Sequence, residues 1–493
     1  MSIKLDNDGT GRSPRPTQAE VLRWIEKNWD GPEVLAIQAP TGVGKSFIAS
    51  TVQRVTNAFV IVPSNILLDD TYAKVYPNTN FLKGKTHYVC DTEEYKGMTC
   101  SDVTQVLKKK LCEGCTYSAC RRKALGGAPT FFNPMSLFYL QKHPDYQRPD
   151  VIIVDEAHQL KDMLMLIAGK SFRRGKYDFP ETVNETEIIR WMQKQLDTLH
   201  RLYGAALEKR DKDKATEFAR EIESVQGTLW GVQENPQNYS IHISTKEYRG
   251  RQEQYLNVTP LEPPRYLVKQ LLDTPKLILM SATLSRMDVE CLLKGRPYKY
   301  LDLPSPIDKA RRKVCYKPTP FLMNFKTDPA KIVAHLEQVI AENPGLNTMI
   351  HASYGLAEKL APHFKIPVIT HTVETKNAAL ETFKQKGGVF LASGFAEGID
   401  MKGDLCRLNI VPMIQRLNPF DPAVKKRLAW ADGRKWYDME ALKTLIQQAG
   451  RSTRGETDSS KIVVCDPAFP GLVMKNKDDV PKSFFDSISW TGK

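Results

Sequence analysis

Long apolar runs are missing from this chain. No stretch approaches the roughly 18 consecutive apolar residues that a membrane-spanning helix needs. Met1 to Thr10 carries Asp6 and Asp8 and no apolar core, so no secretory signal peptide is expected. Internal repeats and low-complexity tracts are absent, and with 41% hydrophobic and 9% aromatic residues wholesale disorder is excluded too. Cysteine is scarce: nine in 493 residues, five of them crowded between Cys90 and Cys120. A secreted disulfide scaffold would be short and cysteine-dense throughout, so a local cluster points to a metal or iron–sulfur site in an intracellular protein. Acidic residues are the minority, 57 against 70 Lys and Arg, a formal charge of +13. That surplus favours an anionic partner, nucleic acid first, without separating an enzyme from a passive binder. The length suggests about three domains.

What the chain does contain is a repeated alternation. Short apolar, β-branched runs recur at Val34–Ile37, Phe59–Val62, Val151–Val154, Leu277–Met280, Val389–Ala392, Leu408–Val411 (broken by Asn409) and Ile462–Cys465, with helical stretches between them. Runs of this length suit strands buried on both faces, so the expected class is α/β with two parallel-sheet domains. Two segments break the alternation. One is the Cys-rich stretch near Phe81 to Arg122. The other, near Lys161 to Gly250, is polar and helical. In it Ile189, Met192, Leu196, Leu199, Tyr203 and Leu207 follow three-four spacing, and a charged block, Glu208 to Lys214, precedes a second seam through Phe218, Ile222, Val225 and Leu229. This predicts an antiparallel helical hairpin, Asn184 to Trp230.

Two motifs carry chemistry in the first half. Ala39-Pro40-Thr41-Gly42-Val43-Gly44-Lys45-Ser46 follows an expected strand and opens an expected helix, Phe47 to Val55. Gly42 and Gly44 let the backbone curl so that its N–H groups face phosphates; Lys45 supplies a charge and Ser46 a hydroxyl for Mg²⁺. Ala39 stands where the first glycine of such loops is usual. Asp155-Glu156-Ala157-His158 ends the run Val151–Val154: a strand-terminal Asp can hold Mg²⁺ and its neighbour can orient or deprotonate a water. Together they read as the two halves of an ATPase site.

The order of these two motifs, Ser281-Ala282-Thr283 and Gln447-Gln448-Ala449-Gly450-Arg451-Ser452-Thr453-Arg454 resembles a superfamily 2 helicase, and more narrowly the XPD/DinG family of iron–sulfur DNA helicases. Gly394-Phe395-Ala396-Glu397-Gly398-Ile399-Asp400 is similar to that family's fifth motif and Gln447 to Asp458 to its sixth. Arg15-Pro16-Thr17-Gln18 resembles the adenine-reading Q motif, Phe59 to Ser64 motif Ia, Met349 to Tyr354 motif IV, and Leu303 to Pro306 the Ser-Pro stretch after motif III. Arg451 and Arg454, three apart on what reads as one helix, share a face and would reach the nucleotide as arginine fingers.

The resemblance implies that Lys45, Asp155, Glu156, Gln447, Arg451 and Arg454 are catalytic, and that Gln18, Thr41, Gly42, Gly44, Lys45, Ser46, Asp155, Glu397 and Asp400 serve ATP and Mg²⁺. The Cys cluster falls where the family inserts its [4Fe-4S] domain. On the family's ligand pattern the expected ligands are Cys90, Cys100, Cys112 and Cys115, with Cys120 as substitute for Cys100; thiolates in this number also suit zinc. The basic residues around the cluster (Lys83, Lys85, Lys108 to Lys110, Arg121 to Lys123), with Tyr88, Tyr95 and Tyr117, are offered to a DNA strand.

The expected layout is two RecA-like motor domains with two inserts in the first. Residues 1–80, 123–160 and 251–290 form motor 1, 81–122 the cluster domain, 161–250 a small arch, and 291–493 motor 2. The expected activity is unwinding of forked or tailed duplexes by a monomeric motor tracking on single-stranded DNA, with 5′→3′ polarity implied by the resemblance. An RNA or RNA–DNA hybrid helicase and an ATP-regulated nucleic-acid binding protein are the alternatives. No membrane contact is expected, the location is the cytoplasm, and any loading partner is left open. The chain starts almost at Arg15–Gln18, so no nuclease domain is expected ahead of the motor, and its shortness points to a virus or other small replicon.

Overall fold

The computed structural model describes residues 3–106, 115–248, 250–323, 326–395, 401, 403–450, 452–453 and 458–490. In chain order the strands are β1 (Val34–Gln38), β2 (Phe59–Ile61), β3 (Asn80–Leu82), β4 (Thr130–Phe132), β5 (Val151–Val154), β6 (Lys170–Arg173), β7 (Tyr239–Tyr248), β8 (Arg251–Pro260), β9 (Lys276–Ser281), β10 (Tyr298–Asp302), β11 (Arg312–Tyr316), β12 (Thr348–His351), β13 (Val368–Ile369), β14 (Val389–Ala392), β15 (Leu408–Val411), β16 (Ser460–Val464) and β17 (Ile488–Ser489). Two seven-stranded sheets result, ordered β10-β1-β9-β5-β2-β4-β3 and β13-β14-β12-β15-β16-β11-β17. Their pairings are parallel. These are the two RecA-like motor domains.

The apolar runs become the central strands for a simple reason. β1, β5, β9, β12, β14 and β15 are buried at every position, with helices covering both faces of each sheet. Motor 1 has a separate apolar core on each face of its sheet. One side gathers Val34, Phe59, Ile152 and Leu277, the other Leu35, Val60, Ile153 and Ile278. That is the alternation of a pleated strand sandwiched between two helical layers.

Three expectations about boundaries need correction. β10 pairs with β1 at the edge of the first sheet, so motor 1 runs past residue 290 to at least Asp302. The first insert leaves after β3, itself an edge strand of that sheet, and returns on the helix Thr116–Leu125, whose Ala124 and Leu125 are already motor 1 core. The second insert is not purely helical. The helix Leu160–Ala168 at its start belongs to motor 1 through Leu160, Leu164 and Ala168. The remainder of that insert is a helical hairpin packed on an antiparallel sheet, β6-β8-β7, that reaches Pro260.

The hairpin itself is as expected, with helices Glu185–Glu208 and Lys212–Glu234. Asn184 caps the first by accepting from the Glu187 N–H at 2.8 Å, and Asp211 caps the second by accepting from Lys214 at 3.2 Å. Its buried face carries Ile188, Trp191, Met192 and Leu199 against Phe172, Tyr239 and Leu256 of the small sheet, while Leu207 is exposed. Among the described residues no helix is long and apolar enough to cross a membrane.

Candidate nucleotide cleft and cysteine site

Three adjacent strands, β1, β9 and β5, deliver the phosphate loop, Ser281-Ala282-Thr283 and Asp155-Glu156-Ala157-His158 to one edge of motor 1. Carboxyl ends of neighbouring parallel strands are where such sheets bind ligands. The loop leaves β1 with Ala39 N–H donating to the Ser281 carbonyl at 2.8 Å, and Gln38 Nε2 donating to the Ala282 carbonyl at 2.7 Å. Gly42 (φ 87°) and Gly44 (φ 85°) are left-handed, and Lys45 then opens the helix Lys45–Thr56. At Gly44 a side chain would also collide with Gln18 and Arg15. Those two residues brace the loop from beneath: Arg15 Nη2 donates to the Val43 carbonyl at 2.9 Å, and Gln18 Nε2 does so at 3.0 Å. Gln18 Oε1 accepts from the Arg15 N–H at 2.9 Å, so both ends of this buried amide are held by protein.

The acidic pair is set by an unusual turn. Glu156 is a non-glycine residue at φ 49°, ψ 45°, a strained conformation of the kind that collects at functional sites. It brings Glu156 Oε1 to 3.2 Å from Lys45 Nζ, and lets Oε2 accept from Ser281 Oγ at 3.3 Å. His158 Nδ1 lies 2.6 Å from the same Ser281 Oγ. Asp155 is buried beside them; Oδ2 accepts from the Tyr72 hydroxyl at 2.8 Å and Oδ1 from the Glu156 N–H at 2.9 Å. Burial and the neighbouring Glu156 charge push the Asp155 carboxyl up from its ordinary value. Burial would raise Glu156 as well, but the Lys45 ammonium and His158 outweigh it and hold that carboxyl well below its ordinary value.

Motor 2 supplies the facing wall. A cleft of about 580 Å³ is lined by Thr41, Glu156, His158, Ala282 and Thr283 from motor 1 and by Gln447, Ala449, Gly450 and Thr453 from motor 2. A Cβ at Gly450 would lie 3.6 Å from Thr41 Cγ2, which measures how closely the sixth-motif segment rests on the phosphate loop. Arg451, Arg454, Glu397 and Asp400 lie outside the described residues. The expectation that one helix carries both arginines falls on residues outside those described. The helix Gly433–Ala449 ends before them, and Ser452 and Thr453 are not helical. Side chains divert the backbone there: Ser452 Oγ accepts from Asn409 Nδ2 at 2.8 Å, and Thr453 Oγ1 lies 2.6 Å from Ser460 Oγ.

Several positioning residues had no place in the sequence reading. Asn409, the polar break in the apolar run of β15, is fully buried and joins Ser452 to His351 Nε2, 3.0 Å away on β12. A buried amide inside a parallel strand is expensive unless it is bonded, and that polar break was a legible signal. Tyr72 had none, because its partner Asp155 is distant in sequence.

The cysteine segment is organised by backbone pairing. Cys90 N–H donates to the Met98 carbonyl at 2.8 Å and Cys100 N–H to the Tyr88 carbonyl at 2.7 Å, an antiparallel link that brings the two cysteines together. Cys115 caps the helix Thr116–Leu125, its sulfur accepting from the Ser118 N–H at 3.4 Å, and the Thr116 N–H donates to Asp91. Cys90, Cys100 and Cys115 line one small cavity with Tyr88 and Tyr117. Cys120 is not among its lining residues; it packs against the motor 1 core. Cys112 lies outside the described residues. Among the described residues no group of three or more Cys, His, Asp or Glu is close enough to hold a metal ion. The tyrosines are largely spoken for as well: Tyr88 and Tyr117 pack edge to face at 5.2 Å, and the Tyr88 hydroxyl donates to the Phe81 carbonyl. Lys83 is paired with Asp69 at 2.7 Å, whereas Arg122 and Lys123 are exposed.

Residues 12–176 match the family described as "Type III restriction enzyme, res subunit", and residues 343–484 match the helicase C-terminal domain. The Escherichia coli protein named ATP-dependent DNA helicase YoaA is 29% identical over 177 residues, 33% of this chain and 28% of its own length. The protein of that name from Haemophilus influenzae is 23% identical over 611 aligned positions, covering 97% of this chain and 94% of its own. A solved structure titled XPD helicase superposes with a TM-score of 0.62 at 17% identity, covering 97% of this chain and 99% of that one. At that identity the superposition speaks for the fold.

Proposed function

The chain is an XPD/DinG-like helicase of superfamily 2, and from that premise we propose that it is an ATP-driven motor that tracks along single-stranded DNA, 5′→3′, and opens forked or tailed duplexes as a monomer. The observation that carries this reading is the convergence of Lys45, Glu156, His158 and Ser281, bonded to one another where Glu156 and His158 line a cleft whose other wall is the sixth-motif segment. In the proposed cycle Lys45 exchanges Glu156 for the β/γ-phosphates, releasing that carboxylate to orient the attacking water. Ser46 and Asp155 would hold Mg²⁺, whose charge neutralises the phosphates; a buried carboxyl already pushed up stands to gain from such a partner. Thr41, Gly42 and Gly44 shape the cradle, and Gln18 acts on the nucleotide through the loop it braces. Gln447 lines the cleft from motor 2; the roles proposed for Arg451 and Arg454 are to stabilise charge on the transferred phosphoryl group, and those for Glu397 and Asp400 to couple DNA contact to nucleotide sensing.

Cys90, Cys100 and Cys115 share a cavity and are of the right donor chemistry for an iron–sulfur cluster, with Cys112 as fourth ligand. The group would staple a segment of about 40 residues that is too small to build its own core. Iron and sulfide in anaerobically purified protein support that assignment; zinc without either overturns it.

Unwinding assays on 5′- and 3′-tailed DNA duplexes, run beside RNA equivalents, test the motor. Wild-type protein opens the 5′-tailed DNA, and Lys45→Ala binds the strand while neither hydrolysing ATP nor unwinding. Full unwinding by Lys45→Ala, or stimulation by RNA alone, sinks the reading.

A further inference from the structure

Away from the nucleotide residues, four charged side chains meet in the interior where the two motors touch. Lys161 and Asp288 come from motor 1, Glu440 and Lys443 from motor 2. Lys161 (6% exposed), Asp288 (1%) and Lys443 (8%) are buried. Two ion pairs cross the interface: Lys161 Nζ lies 2.6 Å from Glu440 Oε1, and Lys443 Nζ contacts Asp288 Oδ1. Two more lie within the domains, Lys443 to Glu440 at 3.0 Å and Lys161 to Asp288 at 3.9 Å.

The members are placed close to the cleft. Lys161 sits in the first turn of the helix that follows His158. Asp288 sits in the helix that follows Thr283, where Ser285 Oγ donates to its other oxygen at 2.7 Å and leaves Oδ1 for the lysines. On the helix Gly433–Ala449, Glu440, Lys443 and Gln447 are spaced three and four apart, so they share a face, and Gln447 lines the cleft. A plain capping carboxylate at Asp288 would account for the Ser285 contacts but not for two buried lysines.

We propose that Lys161, Asp288, Glu440 and Lys443 form a separable ionic clasp that positions the sixth-motif segment of motor 2 against the phosphate loop when the cleft closes. The inference rests on the motor reading above. The physical basis is the sign pattern. Within these four, each domain brings one cation and one anion, so closure forms two cross-domain pairs and opening leaves each domain with a pair of its own, the neighbouring Asp162 carboxylate adding a negative charge beside Lys161 on the motor 1 side. A buried charge abandoned by its partner is costly, and here neither state abandons one. Burial would push the Glu440 carboxyl up, but Lys443 and Lys161 overcome it and hold it well below its ordinary value, as expected of a carboxylate that stays charged in the closed state. Such an element has two discrete arrangements with similar internal bonding, the property a reversible mechanical step requires. These four are positioning residues, since none lines the cleft itself.

A charge exchange across the interface tests the clasp. Lys161→Glu, Glu440→Lys and the double exchange are compared with wild type in DNA-stimulated ATP hydrolysis, thermal unfolding and interdomain distance, the last read from a dye pair with one label on each motor. Each single reversal lowers kcat about tenfold with KM for ATP moving no more than about twofold, and lengthens the distance at saturating nucleotide. The double exchange recovers the short distance, because both cross-domain pairs form again, but not the full rate, because each open domain then holds two like charges. Lys443→Arg, which keeps the charge, stays near wild type. Should a reversal fail to fold, Lys161→Gln carries the same expectation with a smaller drop. Unchanged kcat and distance in folded single variants overturn the clasp, as does a folded double exchange whose interdomain distance stays as long as its parents'. If the wild-type chain shows no DNA-stimulated hydrolysis, the motor reading fails. The distance measurement still decides the clasp.

Discussion

The two motor domains share an architecture and differ in how they hold their functional residues. In motor 1, three neighbouring strands end side by side, and the residues they carry are bonded directly to one another: Lys45 to Glu156, Glu156 to Ser281, Ser281 to His158. In motor 2 the sixth-motif segment follows a helix and is held indirectly, through Ser452 to Asn409 and through Thr453 to Ser460. The difference teaches where rigidity is needed. Groups that surround a phosphate must be placed before it arrives, whereas groups that stabilise charge during transfer need to approach and withdraw.

The sharpest way to break this comparison is at Glu156. Glu156→Gln removes the proposed water-orienting carboxylate and should cut ATP turnover by roughly a hundredfold or more while nucleotide still binds, measured by steady-state hydrolysis beside a fluorescent-nucleotide titration. Retained turnover would move the catalytic base elsewhere. Next comes Gly44→Ala, which forces a side chain into a left-handed position already crowded by Gln18 and Arg15. It should weaken nucleotide binding, and thermal melts should show a cost of about 1–3 kcal/mol confined to motor 1.

A matched change in motor 2 is Asn409→Val. It strips His351 and Ser452 of a buried partner, so about 1–3 kcal/mol of stability should be lost in denaturant titrations. Turnover should fall more than nucleotide affinity does, the opposite balance from Gly44→Ala; equal effects on both would erase the distinction between the domains.

The smallest expected effect concerns the N-terminal segment of motor 1. Burial would raise Asp8, but hydrogen bonds from Thr10, Tyr76 and Arg12 more than offset it and lower its carboxyl to about 2. A depressed carboxyl stabilises the fold above its unfolded value and loses that contribution as pH falls through the folded one. Between about pH 4 and 2, on the order of 2 kcal/mol should therefore disappear. Asp8→Asn should show a flatter acid dependence over that window.

Much of this was legible without coordinates, and the reasons are local. The apolar runs at Val151–Val154, Val389–Ala392 and Leu408–Val411 are strands with those bounds, because a strand covered by helices on both faces needs an unbroken apolar stretch. The hairpin caps, Asn184 and Asp211, are short-range chemistry too. β10 was missed because Tyr298–Asp302 is an edge strand, half-exposed along its length and lacking a continuous apolar run. The small sheet β6-β8-β7 was missed because its polar outer face looks like loop in a one-dimensional reading. The helix Gly433–Ala449 ends at Gly450, where helix propensity yields to Ser452 and Thr453, whose side chains bond to Asn409 and Ser460.

The amino-acid order alone determined which chemistry this chain can perform, since a phosphate loop, an acidic strand end and a cysteine cluster are defined by neighbours a few residues apart. The tertiary structure decided which of those residues act together. Lys161 and Glu440 are 279 residues apart and Lys443 and Asp288 155 apart, and no periodicity links them. Charges buried at such separations find their partners only when the two sheets close on each other, because their pairing depends on a low-dielectric interface that neither segment possesses by itself.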